Sequence, residues 1–267
     1  MDKKLGFIGC GNMAKAMMGG IIASGLLAAQ DILSSDAYHP CLEKAQKDLA
    51  ICITDSNTEV AAHCEVVVLA VKPQFYPTVI KEISAALNPE TVVVTIAPGQ
   101  TLENLGKMFA REVKIIRTMP NTPAMVCEGM TAVCSNHLVT KQELDYVCNL
   151  LSSFGKFEVV AEHMMDAVVA VSGSSPAYVF MFIEAMADAA VLEGMPRDKA
   201  YKFAAQAVYG SAKMVLETGK HPAELKDMVC SPAGTTIVAV SVLEEKGFRS
   251  SVMQAMAACS KKAKALS

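Results

Sequence analysis

Three small residues near the start of the chain have the spacing of a dinucleotide-binding turn. Gly9, Gly11 and Ala14 form a G-x-G-x-x-A pattern that follows an apolar run and precedes a helical pattern. The first glycine permits the tight turn, the second lets the backbone approach a pyrophosphate, and the small third residue lets helix and strand pack closely. The start of the helix adds free N–H groups and a positive field. The pattern predicts a dinucleotide site, with a plain tight turn as the competing interpretation.

The side chain that contacts the adenosine ribose in such a site follows the glycine pattern by about 20 residues. Asp36 lies at that position, at the end of the second predicted strand. A carboxylate accepts hydrogen bonds from a free 2′-hydroxyl and repels a 2′-phosphate, which favours NAD(H). Ser34 and Ser35 could instead donate to a phosphate, and Lys44 or Lys47 could reach one from the next helix. Asp36 could also only begin a turn, so both NAD(H) and NADP(H) stay open.

Three further predicted strands end in turns that contain proline or glycine. Their sequences are AVKP at 70–73, IAPG at 96–99 and MPNTP at 119–123. Cofactor and substrate lie at the carboxyl edge of a doubly wound sheet, so these turns predict a lined cleft. Lys72 is a candidate acid there, and a solvated or structural lysine is the competing interpretation.

A second candidate site carries no charge. Residues 230–236 read CSPAGTT and lie between two helical patterns. Hydroxyl groups and backbone N–H groups at the start of a helix can bind an anion without an arginine. The competing interpretation is a loop that only caps the helix that follows it.

The elements that would hold these residues alternate between β and α over the first part of the chain. Strands are predicted at Lys4–Ile8, Ile32–Leu33, Ile51–Ile53, Glu65–Ala70, Thr91–Ile96, Lys114–Arg117, Met130–Val133 and Phe157–Val160. Helices are predicted from the glycine turn to Ser24 and at Leu42–Leu49, Gln74–Leu87 and Thr140–Leu151. This order predicts an α/β fold of the Rossmann type, in which a doubly wound parallel sheet has helices on both faces.

The second part of the chain is predicted to be all-helical. Helical patterns lie at Pro176–Glu193, Asp198–Glu217, Pro222–Met228, Thr236–Lys246 and Phe248–Leu266. We therefore expect a dinucleotide-binding domain at 1–161 and a helical substrate and dimerisation domain at 162–267. Helices that are apolar on all sides need covering. A domain of this size can bury only part of such apolar helix surface in its own core, so the rest is expected to lie in a dimer interface.

Composition and charge argue against several classes of protein. The net charge is −3 with no basic stripe, so nucleic-acid binding is not expected. The longest uncharged run, Ala167–Ile183, contains Gly173 and Pro176 and is short for a membrane span, and the N-terminus lacks a signal-peptide pattern. Nine scattered cysteines without a CxxC pair indicate reduced thiols in a cytoplasmic protein. The five histidines are isolated, so no metal site is predicted.

Several segments together resemble one family. GFIGCGNMAKAM, AVKP, RTMPNTPA, VSGSSPAYVFMFIEAMADAAV and HPAELKDMVCSPAGTTI are similar to segments of the pyrroline-5-carboxylate reductases, in the same order and over essentially the whole chain. The last two segments are the most specific. The resemblance implies a Rossmann domain and a helical domain that dimerises, with dimers that often assemble into larger rings. It also implies hydride transfer from NADPH or NADH to the C=N carbon of 1-pyrroline-5-carboxylate, which gives L-proline.

The resemblance also implies which residues bind the cofactor. The pyrophosphate would be held by Ile8, Gly9, Cys10, Gly11, Asn12 and Met13. Ser35 and Asp36 would lie at the adenosine ribose. The nicotinamide side would be lined by Asn57, Ala70, Val71, Lys72 and Pro73, with Ala97 nearby.

Two segments rich in serine, glycine and threonine would form the substrate site, partly across the dimer. Their candidate residues are Ser172, Gly173, Ser174, Ser175, Ser231, Gly234, Thr235 and Thr236. The imine nitrogen of the substrate can carry its own proton, so the protein need only hold the ring over the nicotinamide and donate one hydrogen bond. Thr236 is the candidate donor and catalytic residue.

The sequence departs from the family pattern at three positions. Ala233 replaces the first of two glycines, Pro98 lies near the cofactor in the IAPG turn, and Asp36 stands where NADP-preferring members tend to have serine or arginine. Two other functions stay open. A reductase of another imine or of a β-hydroxyacid is one, although the latter would be expected to carry a lysine between Glu162 and Glu193, where the chain has none. A non-catalytic dinucleotide-binding regulatory protein is the other.

Overall fold

The computed structural model describes residues 3–265, and a single mixed sheet organises the first part of the chain. Its eight strands are β1 (Lys3–Ile8), β2 (Ile32–Ser35), β3 (Cys52–Thr54), β4 (Cys64–Leu69), β5 (Val92–Thr95), β6 (Lys114–Met119), β7 (Gly129–Ser135) and β8 (Gly155–Val159). Their order in the sheet is β3-β2-β1-β4-β5-β6-β7-β8. The order therefore reverses beside β1, which is where nucleotides bind in doubly wound sheets.

The prediction of a parallel sheet is confirmed for the first six strands and is wrong for the seventh. Neighbours among β1 to β6 all pair parallel, whereas β7 pairs antiparallel with β6 and parallel with β8. The reason is the connection between β6 and β7, which holds only the 3₁₀ turn Thr122–Val126. A parallel partner would need a crossover of a dozen or more residues.

Six α-helices accompany these strands in the described part of the chain. They are α1 (Asn12–Ala23), α2 (His39–Leu49), α3 (Asn57–His63), α4 (Tyr76–Ile83), α5 (Leu102–Phe109) and α6 (Lys141–Ser152). The predicted capping box of α6 is present, because Thr140 and Glu143 each bond the other's backbone N–H. The prediction missed α3 and α5, which begin at Ser56 and Thr101 caps.

The core lies on both faces of the sheet. β4 and β5 read CEVVVL and VVVT, and nearly all of their side chains are buried, as expected for strands with helices on both sides. Phe7 and Met17 belong to the cluster on one face, and Leu69 and Ile80 belong to the cluster on the other. Two packed layers therefore fix where each strand ends.

By internal contacts the chain divides into two compact units. The described residues of the first are 3–174 and 259–265, and the second is 175–258. The segment after residue 161 stays with the sheet because Glu162 Oε1 accepts hydrogen bonds from Arg117 Nη1 at 3.0 Å and Leu102 N at 2.7 Å. Our division of the chain after residue 161 stays a prediction about its functional domains.

The remaining α-helices are α7 (Met165–Val168), α8 (Ser175–Leu192), α9 (Arg197–Thr218), α10 (Pro222–Val229), α11 (Thr235–Glu245) and α12 (Phe248–Lys264). A π-helical turn, Val169–Gly173, separates α7 from α8. The predicted end of the last helix at Leu266 lies outside the described residues. Large apolar side chains of α8 are exposed, with Phe180 at 62% and Met181 at 69%. The isolated helical unit therefore leaves an apolar surface to be covered.

Residues 162–192 bear on the question of a membrane span. Glu162–Leu192 has a mean hydropathy of 1.4 and, by length and composition, is the one described helical stretch that could cross a bilayer. A single stretch of this kind is weak evidence for a membrane protein.

Candidate cofactor groove and substrate loop

The glycine turn after β1 is shaped by its close approach to β4. Gly9 has a φ of 101°, and a Cβ atom there would lie 2.7 Å from the backbone oxygen of Ala70. Only glycine fits this position without strain. Gly11 differs, because a Cβ atom there would meet nothing within 4 Å. The first glycine is needed by the fold, whereas the second keeps a space open at the start of α1.

The start of α1 has the properties of an anion site. Gly11 is its N-cap and provides no side-chain cap, and no acidic residue lies in the first turn. Unpaired N–H groups and the positive end of the helix dipole therefore face the open space beside Gly11. A pyrophosphate is an anion of suitable chemistry for this space.

Asp36 links the end of β2 to the glycine turn. Its Oδ2 atom accepts a hydrogen bond from Cys10 N at 2.6 Å, and its Oδ1 atom accepts one from Tyr38 N at 2.8 Å. Asp36 therefore shapes its own turn, as one interpretation expected. The residue also lines the groove described below. Each carboxylate oxygen can accept a second hydrogen bond, so Asp36 is still able to bind a ribose hydroxyl.

The structure does not bring Ser35 into contact with the groove. Ser34 and Ser35 are both 0% exposed, because β2 is covered on both faces. The Ser35 hydroxyl donates to Asn57 Oδ1 at 2.7 Å, and Asn57 Nδ2 donates to Glu82 Oε2 at 2.9 Å. Neither serine hydroxyl reaches the surface of the groove in this structure, and Ser35 touches the groove lining only through Asn57. The role of Ser35 at the cofactor stays a prediction.

A groove of about 480 Å³ lies at this edge of the sheet. Eight residues of the predicted cofactor set line it: Ile8, Gly9, Gly11, Asp36, Asn57, Ala70, Val71 and Lys72. Five residues that the sequence reasoning missed complete the lining: Ala37, Phe75, Thr78, Val79 and Glu82. Four of these five have the i, i+3, i+4, i+7 spacing of one helix face, which is the signal that could have found them.

The other predicted cofactor residues do not line this groove. The Cys10 side chain is fully buried, and its backbone N–H donates to Asp36 Oδ2. Asn12 and Met13 form the first turn of α1. Pro73 begins a 3₁₀ turn after β4, and Ala97, 5% exposed, packs into the core behind β5. Their roles at the cofactor stay predictions.

Two ionisable groups near the groove are held neutral. Burial raises the pKa of the Cys10 thiol and raises the pKa of the Tyr76 phenol well above its usual range. The Tyr76 hydroxyl donates to the backbone oxygen of Leu69 at 2.9 Å. Neither group can act as a nucleophile or base near neutral pH. Neither of these buried groups therefore adds acid–base chemistry to the groove.

The first predicted substrate segment begins in the π-helical turn. Asn121, from the MPNTP turn, donates from Nδ2 to the backbone oxygen of Ser172 at 3.0 Å and accepts a bond from Met130 N at 2.9 Å. Asn121 is 9% exposed, so these two hydrogen bonds are largely protected from water. π-Helical turns are frequent at functional sites. The MPNTP turn thus has a defined role, which is to hold the backbone of the serine segment.

The end of the serine segment is held by α12. Cys259 Sγ donates to Ser174 Oγ at 3.2 Å, and Ser174 N donates to the backbone oxygen of Val169 at 2.8 Å. Gly173 faces Met119, because a Cβ atom there would lie 2.5 Å from its terminal methyl carbon. Ser175 is the first residue of α8 and belongs to the second compact unit.

The second predicted substrate segment enters α11 through a tight turn. Gly234 N donates to the backbone oxygen of Ser231 at 3.0 Å, and a Cβ atom on Gly234 would lie 2.3 Å from Ser231 Oγ. Ala233 has a φ of 53°, in the left-handed region that favours glycine. A glycine at this position would adopt the same conformation without strain.

The start of α11 is open to an anion. Gly234 is the N-cap and supplies no side-chain cap, and the first turn contains no acidic residue. Thr235 and Thr236 are its first two residues. The Thr236 side chain is half-buried, and within residues 3–265 its hydroxyl has no hydrogen-bond partner. Backbone N–H groups and a threonine hydroxyl are thus available to a small carboxylate.

Comparison with known proteins gives two family matches on this chain. The model described as pyrroline-5-carboxylate reductase dimerisation matches residues 162–266, and the one described as NADP oxidoreductase coenzyme F420-dependent matches residues 4–99. Together they cover both candidate sites.

Curated relatives and solved structures match over almost the full length. Pyrroline-5-carboxylate reductase of Escherichia coli is 56% identical over 270 residues, covering 100% of this chain and 99% of the relative. That of Methanosarcina acetivorans is 41% identical, covering 99% and 98%. A crystal structure of the Plasmodium falciparum pyrroline carboxylate reductase with NADP bound superposes with a TM-score of 0.91 at 34% identity, covering 99% of this chain and 98% of that one.

Proposed function

Because this chain belongs to the pyrroline-5-carboxylate reductase family, we propose that it reduces 1-pyrroline-5-carboxylate to L-proline with a reduced nicotinamide cofactor. The observation that carries the proposal is the identity of 56% with a reductase of this name over the whole chain. The two candidate sites supply the chemistry that the reaction needs, namely a dinucleotide groove and an anion site without a strong acid or base.

The groove fits a nicotinamide dinucleotide. The open space at Gly11 and the uncapped start of α1 suit the pyrophosphate, and Asp36 offers a carboxylate to the adenosine ribose. Asn57, which the resemblance assigned to the nicotinamide side, is placed at the ribose in this proposal because its amide bonds Ser35 at the end of β2, next to Asp36. When bound, the reduced cofactor supplies a hydride. Ala70, Val71 and Lys72, at the end of β4, are assigned to the nicotinamide side of the groove.

The uncapped start of α11 binds the carboxylate of the substrate. Its backbone N–H groups and the positive end of its dipole replace the arginine that many carboxylate sites use. Ser231 and Thr235 add hydroxyl donors to the same turn. Ser172, Gly173, Ser174 and Ser175 stay predicted substrate residues, as the resemblance implies.

Thr236 donates the single hydrogen bond that the reaction needs. The substrate imine is protonated as an iminium, so its carbon is already electrophilic. As the C=N bond becomes a C–N single bond, the nitrogen regains a lone pair, which accepts a hydrogen bond from the Thr236 hydroxyl. This role explains why a threonine hydroxyl can serve where other reductases use a charged acid.

The helical part of the chain forms a homodimer in this proposal. The matched dimerisation family and the exposed apolar side chains of α8 both support it. Larger rings of dimers are the assembly that the resemblance implies. We also propose that the dinucleotide-binding domain ends at residue 161 and that the enzyme works in the cytoplasm with its nine thiols reduced. Neither a nucleic acid nor a membrane is needed.

The activity is tested by following the loss of reduced-cofactor absorbance with 1-pyrroline-5-carboxylate, in parallel with NADPH and NADH. Turnover that yields proline would support the proposal, and the ratio of the two kcat/KM values would give the cofactor preference. Cofactor binding with no oxidation by this imine would refute it in favour of another imine substrate or of a regulatory protein.

A further inference from the structure

We propose that Glu82 is a specificity-determining residue, which orients Asn57 and disfavours a nucleotide that carries a 2′-phosphate. The inference rests on the proposed function, since it concerns the same groove. Glu82 lies near the end of α4, and its exposed side chain reaches the groove lining. Nothing in the glycine pattern or in the strand-end turns marks this residue.

A chain of two hydrogen bonds fixes the Asn57 amide. Behind it, the buried Ser35 hydroxyl donates to Oδ1 at 2.7 Å, and in front of it Nδ2 donates to Glu82 Oε2 at 2.9 Å. The serine bond defines which end of the amide carries the oxygen, and the glutamate bond defines its rotation. The second N–H of Nδ2 is then left for a ligand in the groove. Glu82 acts here as a positioning residue.

The charges that line the groove are unbalanced. Asp36, Lys72 and Glu82 are its ionisable groups, so two carboxylates face one ammonium. Both oxygens of Asp36 already accept a backbone N–H, whereas Glu82 Oε1 has no hydrogen-bond partner within residues 3–265. A free ribose hydroxyl can donate to this oxygen. A 2′-phosphate adds about 1.5 to 2 negative charges and is repelled by it.

The test measures nucleotide binding directly, by fluorescence titration of the full chain with NADPH and with NADH in the absence of substrate. Glu82→Gln keeps an acceptor for Asn57 Nδ2 but removes the charge. We expect it to raise the affinity for NADPH relative to NADH by about 3- to 10-fold, and the change to shrink at high salt. The matched control is Glu90→Gln, since Glu90 is also exposed but pairs with Lys114 before β5, at the opposite edge of the sheet.

A second variant separates orientation from charge. Glu82→Ala removes the charge and also the acceptor for Asn57, so we expect the same change in the ratio and an additional loss of affinity for both nucleotides. If Glu82→Gln leaves the ratio at the wild-type value while both nucleotides bind and the imine is still reduced, the inference alone is overturned. If neither nucleotide binds to the wild-type chain, the inference and the proposed function are overturned together.

Discussion

The residues of the candidate sites bind and orient more than they transfer protons. Around the groove, burial keeps the Cys10 thiol and the Tyr76 phenol protonated by raising the pKa of each. At the start of α11 the donors are hydroxyls and backbone N–H groups. The glycine and hydroxyl patterns could be predicted from the sequence because each is local. The buried position of Ser35 could not, because it depends on helices that cover β2 from both sides.

Removing the Thr236 hydroxyl tests the catalytic assignment. Thr236→Ala is expected to lower kcat by about 10- to 100-fold, because a hydrogen bond to a group of changing charge is worth about 1.5 to 3 kcal/mol. The dissociation constant of the cofactor should stay unchanged in a fluorescence titration. Thr236→Ser, which keeps the hydroxyl, should recover most of the rate. A wild-type kcat in Thr236→Ala would remove Thr236 from the mechanism.

At the scale of elements, the alternation of β and α runs predicted every strand of the sheet but not the direction in which every pair of strands runs. All eight predicted strands are present, and β1 and β4 bring their carboxyl ends together as expected. The direction of β7 was missed because it depends on the length of one connection. The helices α3 and α5 were missed because they have only seven and eight residues, too few for a clear periodic pattern. Asn57, the first residue of α3, therefore had no predicted helix geometry, whereas Glu82 lies inside the predicted helix Gln74–Leu87.

The two glycines of the cofactor turn should respond differently to alanine. Gly11→Ala adds a methyl group to open space, so we expect the melting temperature of the ligand-free protein to change little and the cofactor to bind at least about 10-fold more weakly. Gly9→Ala must tolerate a φ of 101° and a contact with the Ala70 backbone, so it should lower the melting temperature. Calorimetry and cofactor titration of both variants check this, and equal losses of stability would contradict it.

The turn before α11 should be stabilised by glycine. Ala233 adopts a left-handed conformation, which costs an alanine about 1 kcal/mol. Ala233→Gly should therefore raise the free energy of unfolding by about 0.5 kcal/mol, after the larger backbone entropy of glycine in the unfolded chain is included. Chemical denaturation measures this difference. A loss of stability would mean that the methyl group of Ala233 makes a contact that outweighs the strain.

At the scale of the whole molecule, the helical unit is incomplete alone. Helices α8 and α11 are largely apolar, yet large side chains of α8 such as Phe180 and Met181 are mostly exposed. The sequence could predict this surface because the helices lack a consistent polar face. It could not predict which side chains contact a second copy, since that depends on how two units meet.

Charge on the α8 surface should disrupt the dimer. Phe180→Asp places a carboxylate where apolar burial is expected, and we predict a halved molar mass by light scattering at micromolar concentration. The control is Val126→Asp, at a residue of the first unit that is 71% exposed. A dimer that survives Phe180→Asp unchanged would place the interface elsewhere.

The central claim is hydride transfer to the imine carbon, and an isotope measurement tests it most directly. The reaction is run with the reduced cofactor deuterated at the transferable position of its nicotinamide ring, and the product is analysed by mass spectrometry and NMR. We predict L-proline with one deuterium, at the δ-carbon next to the nitrogen. Cofactor oxidation that leaves no deuterium at this carbon would contradict the account.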